Sequence, residues 1–202
     1  MPVYTYTALD IPLVNTTQVQ GINDVGQVVG YDDDANIRHG FLFTGDTYIA
    51  LNDPFANNDT RAYGINDVGQ IVGFYQNASG IHGFLYDPTA GIFPTPYLTL
   101  NDPLGNTTFA RGINCTGQIV GYYVNASGNQ GFLLSGGTYT ALHDPDSIDT
   151  AAFSINDLGQ IVGQYLGKDD LRHSFLYSGA TYRRLKMDFQ LTARRAAASV
   201  EA

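Results

Sequence analysis

Gly-Ile-Asn-Asp-Val-Gly-Gln-Val-Val-Gly at 21–30 returns almost unchanged at 64–73, and again at 112–121 and 154–163. With the Asn of each copy as the marker (Asn23, Asn66, Asn114, Asn156), the spacings are 43, 48 and 42 residues. A period of this size is the mark of a repeat architecture with about four strands per unit. Working outward in the second copy, strand a runs Arg61 to Asn66, strand b Gln70 to Tyr75, strand c His82 to Tyr86 and strand d Tyr97 to Asn101.

The separators carry turn chemistry. Between a and b, Asp24 to Gly26, Asp67 to Gly69 and Asp157 to Gly159 fit a three-residue hairpin loop whose last position needs positive φ, and Cys115-Thr116-Gly117 keeps that Gly. Between c and d, Thr44-Gly45-Asp46, Ser135-Gly136-Gly137 and Ser178-Gly179-Ala180 read as tight turns. The longer 87–96 segment accounts for the longer second period. Asp53-Pro54, Asp102-Pro103 and Asp144-Pro145 end the d strands, because proline cannot continue a ladder.

One four-stranded sheet cannot bury both of its apolar faces, so the units must stack in a line or around a ring. Tyr6-Thr7-Ala8-Leu9-Asp10 copies the d strand Tyr139-Thr140-Ala141-Leu142-His143 before any a strand has occurred. A terminal d strand of this kind closes many propellers. The expected fold is therefore all-β: a four-bladed β-propeller of about 43-residue four-stranded repeats, with the ring closed by the N-terminal strand at 4–10. One domain spans 1–186, with repeats at about 17–59, 60–107, 108–149 and 150–186, followed by a tail at 187–202 with a short helix across Gln190 to Ala198. Thr181-Tyr182-Arg183-Arg184-Leu185 is a fifth d-like segment, expected to be the displaced one because of its charges.

Composition agrees. There are 23 Gly, 14 Tyr and 11 Phe, while Glu201 is the sole glutamate and Lys168 and Lys186 the sole lysines, a strand-and-turn vocabulary poor in helix formers. The formal charge is −9, and half of the 10 basic residues sit in the last twenty positions. Nucleic acid and anionic membrane surfaces, which need a basic face, are poor partners. No apolar run is long enough to cross a bilayer, and Met1 to Thr7 lacks a signal-peptide pattern, so membrane insertion is not expected. Cys115 stands alone, without a disulfide partner in the chain.

Gly-Ile-Asn-Asp-x-Gly-Gln-Ile-Val-Gly followed by His-x-Phe-Leu-Tyr resembles the HAF repeats of bacterial extracellular repeat proteins, over about residues 4–186. This chain has His39-Gly40-Phe41, His82-Gly83-Phe84, Gln130-Gly131-Phe132 and His173-Ser174-Phe175 in place of His-Ala-Phe. The resemblance implies an extracellular or periplasmic protein and supplies no catalytic set.

A site must lie where the copies disagree. The position before the repeat Gly or Ser in strand a reads Gln20, Tyr63, Arg111, Phe153, and the position two earlier reads Gln18, Arg61, Phe109, Ala151. If strand a is innermost, one of these rows faces the axial mouth. Arg61, Tyr63, Phe109, Arg111 and Phe153, with Gln18 and Gln20, are then the ligand-binding candidates, two arginines among aromatics that suit a carboxylate, phosphate or sugar. The loops joining b to c and d to a share one face and form a second candidate surface.

The recurrent His39, His82 and His173 lie on strand c, roughly 10 Å out from strand a, too divergent to share an ion. Asp32, Asp33 and Asp34 are the nearest thing to calcium ligands but match no calcium-loop spacing, so no metal and no cofactor is expected. His143 beside Asp144, with Tyr63, is the best that can be offered for catalysis, and with no nucleophile motif and no glutamate in the repeats the sequence leans against an enzyme. Three functions stay open: a glycan or small anionic or polar ligand-binding module, an enzyme with one site at the axial mouth, and a structural protein that forms a homo-oligomer by exchanging its surplus d strand.

Overall fold

The computed structural model describes residue 9 and residues 16–34, 37–89, 96–144 and 146–185. The strand expected at 4–10, apart from Leu9, and the helix expected in the tail lie outside the described residues. Those described form sixteen strands and no helix. The first unit holds β1 (Thr16–Ile22), β2 (Val28–Asp34), β3 (Ile37–Thr44) and β4 (Thr47–Leu51); the second, β5 (Asp59–Ile65), β6 (Ile71–Asn77), β7 (Gly80–Tyr86) and β8 (Tyr97–Leu100). The third holds β9 (Thr107–Ile113), β10 (Ile119–Asn125), β11 (Gly128–Ser135) and β12 (Thr138–Leu142); the fourth, β13 (Ser147–Ile155), β14 (Ile161–Gly167), β15 (Arg172–Ser178) and β16 (Thr181–Leu185). Within each unit successive strands pair antiparallel, and one parallel bridge, Arg38 to Asp59, links the first two sheets.

The turns follow the glycines. Gly26, Gly69, Gly117 and Gly159 have φ of 80, 81, 76 and 72° where each a strand turns into b. The tight c-to-d turns hold two residues of positive φ, as in Gly45-Asp46 (51 and 66°) and Gly136-Gly137 (55 and 79°), the twist that suits two antiparallel strands.

The phenylalanine of strand c is the centre of each sheet's packing. Phe41, Phe84, Phe132 and Phe175 are all buried, each against the tyrosine of its own strand d: Tyr48, Tyr97, Tyr139 and Tyr182, at ring distances of 5.5, 5.5, 5.2 and 5.5 Å.

Neighbouring sheets are joined by one repeated device. The a strand of each unit lies across strands b and c of the unit before: β5 over β2 and β3, β9 over β6 and β7, β13 over β10 and β11. The first joint seats Ala62 and Ile65 on Val29, Leu42 and Leu51; the others repeat it with Ala110 and Ile113, then Ala152 and Ile155. A polar clamp runs beside the apolar contact. Asn23 Nδ2 donates to the Asn66 carbonyl (3.0 Å), Asn66 to Asn114 (3.0 Å) and Asn114 to Asn156 (3.1 Å), while each Asn Oδ1 accepts the Gln N–H four residues on in its own hairpin.

Among the described residues the row of sheets does not close. Val19 and Ile22 of β1 are 50% and 68% exposed where Ala62 and Ile65 are 0% and 8%, and Val162 and Leu185 of the fourth sheet are 40% and 44% exposed where Val120 and Leu142 are 0% and 1%. Nor is the C-terminal d segment displaced, contrary to the expectation from its arginines. β16 pairs with β15 from Ser178–Thr181 to Ser174–Leu185, and Arg183 and Arg184 cost little there because both are exposed to water.

Candidate functional site

Each a strand carries a β-bulge. The pairing with b skips one residue between Val19 and Gly21, between Ala62 and Gly64, between Gly112 and Ala110, and between Ala152 and Ser154. The extra residues are Gln20, Tyr63, Arg111 and Phe153, the varying row picked out by sequence. A bulge breaks the two-residue alternation and re-aims the residue it ejects. All four line one cavity of about 260 Å³, framed by the Gly-Ile or Ser-Ile pairs that follow them in the four a strands.

The bulge explains the closing glycine of the motif. At Gly30, Gly73, Gly121 and Gly163 on strand b, a Cβ would fall on the carbonyl oxygens of Gln18, Arg61, Phe109 and Ala151, opposite the bulge. It would also press on the core phenylalanine, at 2.7–2.9 Å.

Within the cavity, Arg111 lays its guanidinium over the Tyr63 ring at 3.9 Å, with the Phe153 ring centroid at 5.6 Å. Among the described residues no carboxylate forms an ion pair with Arg111. Arg61 differs. Its Nε and Nη2 both donate to Asp59, each at 2.8 Å, and it lies over Tyr31 and Phe74 at 5.2 and 5.1 Å.

The row two residues earlier is packing. Gln18 accepts the Tyr31 hydroxyl (2.6 Å), Phe109 stacks on Tyr122 (4.7 Å) and meets Phe74 edge-on (4.9 Å), and Ala151 is buried. None of Gln18, Arg61 and Phe109 lines the mouth cavity. Sequence missed Asp59 as the partner that neutralises Arg61, although it stands only two residues upstream.

A second cavity, of about 190 Å³, is lined by the Ile-Asn-Asp or Ile-Asn-Cys segments of all four units and shares the four isoleucines with the first. On its rim Asp67, Cys115 and Asp157 hold ligand-type atoms within 4.8 Å of one another, all exposed. Joint bonds account for this: Asp67 accepts the Asp24 N–H and Asp157 the Cys115 N–H, both at 2.8 Å.

The remaining candidates are dispersed. Asp32 faces His39 Nδ1 at 3.2 Å and Asp33 accepts from Arg38 Nε at 2.9 Å, so they do not converge on a common point. His82 meets Asn101 (2.9 Å) and Ser79 (2.9 Å), and His173 meets Asp169 (2.8 Å), each tying strand c to a neighbouring segment. His143 and Asp144 form no dyad: Nδ1 of His143 meets the Ser147 hydroxyl at 3.2 Å, while Asp144 Oδ1 accepts the Asp146 N–H at 2.9 Å.

That last bond is one of three alike. Asp53 and Asp102 cap their turns through the N–H of Phe55 and Leu104, both at 2.9 Å. Asp53 is also buried, and its Oδ2 finds no partner among the described residues. Burial pushes its carboxyl above the ordinary range, against the opposing pull of the Phe55 N–H and His82. A carboxyl raised in the folded state is bound by a proton before the unfolded chain is. Its burden on stability is therefore present at neutral pH and relieved as pH falls through the folded value toward the unfolded one. Asp53→Asn should raise stability at pH 7 and flatten that acid-side gain, read from denaturant midpoints across the mildly acidic range. A midpoint that falls at pH 7, with an unchanged pH profile, would contradict the assignment.

Neither a protein-family model nor a curated protein matches the chain. Among solved structures the chain is similar to a mutant of Aleuria aurantia lectin AAL in complex with Fucα1-6GlcNAc, at 16% identity and a TM-score of 0.47, over 86% of this chain and 62% of that one. The chain thus spans less than two thirds of that lectin's length.

Proposed function

We propose that the chain is a non-catalytic ligand-binding module, its four units acting as blades of an incomplete propeller, and that it takes a small acidic glycan in the bulge-lined mouth. One observation carries this: Arg111, held over the Tyr63 ring at 3.9 Å without a carboxylate partner among the described residues, in a cavity to which each unit gives its one varying bulge residue. Arg111 supplies a planar fork for a carboxylate, Tyr63 and Phe153 supply ring faces, and Gln20 a hydroxyl partner. The cavity, about 260 Å³, suits one sugar residue rather than a long chain. An extracellular or periplasmic setting, which the HAF-repeat resemblance implies, is where such ligands occur.

Calorimetric titration with glucuronate, and with glucose as its uncharged counterpart, tests the reading. Saturable binding of glucuronate is expected, weaker for glucose, with Arg111→Gln losing about tenfold or more in affinity. The proposal fails if glucuronate does not bind, or binds Arg111→Gln as well as the parent.

A further inference from the structure

Four sheets in a row need three joints, and all three are made. What remains is one half-joint at each end. The fourth sheet offers a receiving face, on which Val162 and Leu185 stand where Val29 and Leu51 receive the second unit. The first sheet offers an inserting strand, β1, whose Ile22 stands where Ile65 is inserted. The polar clamp is also unfinished at both ends. Asn156 Nδ2 keeps its bond to Gln160, but among the described residues it has no next Asn carbonyl to reach, and the Asn23 carbonyl has no donor of this kind.

The two half-joints belong to one chain, and the four a strands share a mouth cavity, yet they do not meet. Each joint fixes the rotation of one sheet on the last through buried side chains and a backbone-directed clamp. Among the described residues the end faces of the first and fourth sheets stay exposed after three such joints. A second copy of the chain carries the counterpart of each half-joint.

We infer that the exposed face of the fourth sheet is the docking site for β1 of another copy of this chain, through a fourth joint of the same kind as the three internal ones. Val162 and Leu185 of one copy cover Val19 and Ile22 of its partner, and Asn156 reaches the partner's Asn23 carbonyl. The association is head-to-tail, so it propagates until it closes into a ring or continues as a helix. It is also weaker than an internal joint. Val19 replaces the Ala of the other inserting strands, and Ser174 replaces Gly40, Gly83 and Gly131, where a Cβ would meet the Leu carbonyl of the unit's own strand d at 2.8–3.0 Å and the docked strand at 3.2–3.5 Å. The joint rests on observations separate from those behind the mouth ligand, although Ile22 also borders the mouth cavity.

Sedimentation velocity on the full chain and two variants decides it. Val19→Asp with Ile22→Asp blocks the inserting end; Val162→Asp with Leu185→Asp blocks the receiving end. All four side chains are already exposed in the single chain, so an unchanged far-ultraviolet spectrum is expected of both variants. The parent should associate with rising concentration, and each variant alone should be monomeric, its association weakened by about 30-fold or more. An equal mixture should give dimers and nothing larger, because one competent joint survives in the pair. A parent that stays monomeric at every concentration overturns the inference without any variant. So does a variant that assembles as the parent does, or a mixture of folded variants that stays monomeric.

Discussion

Gly73→Ala loses about 3 kcal/mol or more of stability, enough to leave a large share of the chain unfolded. The φ of Gly73 is not positive, so conformational freedom is not the issue. The added methyl would fall on the Arg61 carbonyl oxygen and within 2.8 Å of the Phe84 ring, which is wholly buried and has no free volume to retreat into. Neither neighbour is the far end of a flexible side chain. Relief would require undoing the bulge at Tyr63, and with it the pairing of β5 and β6. Gly26→Ala is the contrast. Nothing lies within 4 Å of its Cβ position, and it pays only for a φ of 80°, about 1 kcal/mol. Urea unfolding of both variants against the parent measures the difference, and equal losses would show that the bulge does not set the cost.

The second large effect belongs to Asn66→Ala, about 3 kcal/mol. One buried side chain makes three bonds: it accepts the Gln70 N–H (2.9 Å), donates to Gln70 Oε1 (2.8 Å) and donates across the joint to the Asn114 carbonyl (3.0 Å). Alanine removes all three, severs the bond that crosses the joint, and leaves the Asn114 carbonyl with only the Gly117 N–H of its own hairpin (3.0 Å). Asn156→Ala serves as the control, because its side chain is exposed, its hairpin bonds compete with water and its donor crosses no joint among the described residues. Its cost should be about 1 kcal/mol. Comparable losses for the two variants would mean that the clamp between sheets contributes nothing beyond its own hairpin.

The strands and their turns were legible because their chemistry is local. A glycine at the end of each a-to-b loop, a pair of turn residues between c and d in three units, and a proline after three of the d strands are statements about single backbone positions. The varying row was legible too, since Gln20, Tyr63, Arg111 and Phe153 differ against a fixed background. What could not be read was that Arg61 and Arg111 do different work. They stand at equivalent sites two rows apart, and under strict alternation both rows would share a face. The bulge separates them, sending Arg111 to the mouth and leaving Arg61 clasped by Asp59. The one signal was the glycine of strand b, which every copy keeps where β propensity would favour a larger residue. Closure was illegible for another reason. It depends on the rotation each joint imposes, a sum over side-chain shapes to which no single residue testifies, and a copied d strand at the start of the chain says that a ring is possible without saying that the angles add up.

The asparagine that shapes each hairpin is also the one that grips the next sheet, so a single stretch of about ten residues encodes both the turn and the adhesive. A tandem duplication of one unit would thus arrive already fitted to whatever preceded and followed it, and the loss of a unit would leave neighbours that still match. In such an array the joints are shared by every copy, and what sets one unit apart from the next is the residue that its bulge puts on display.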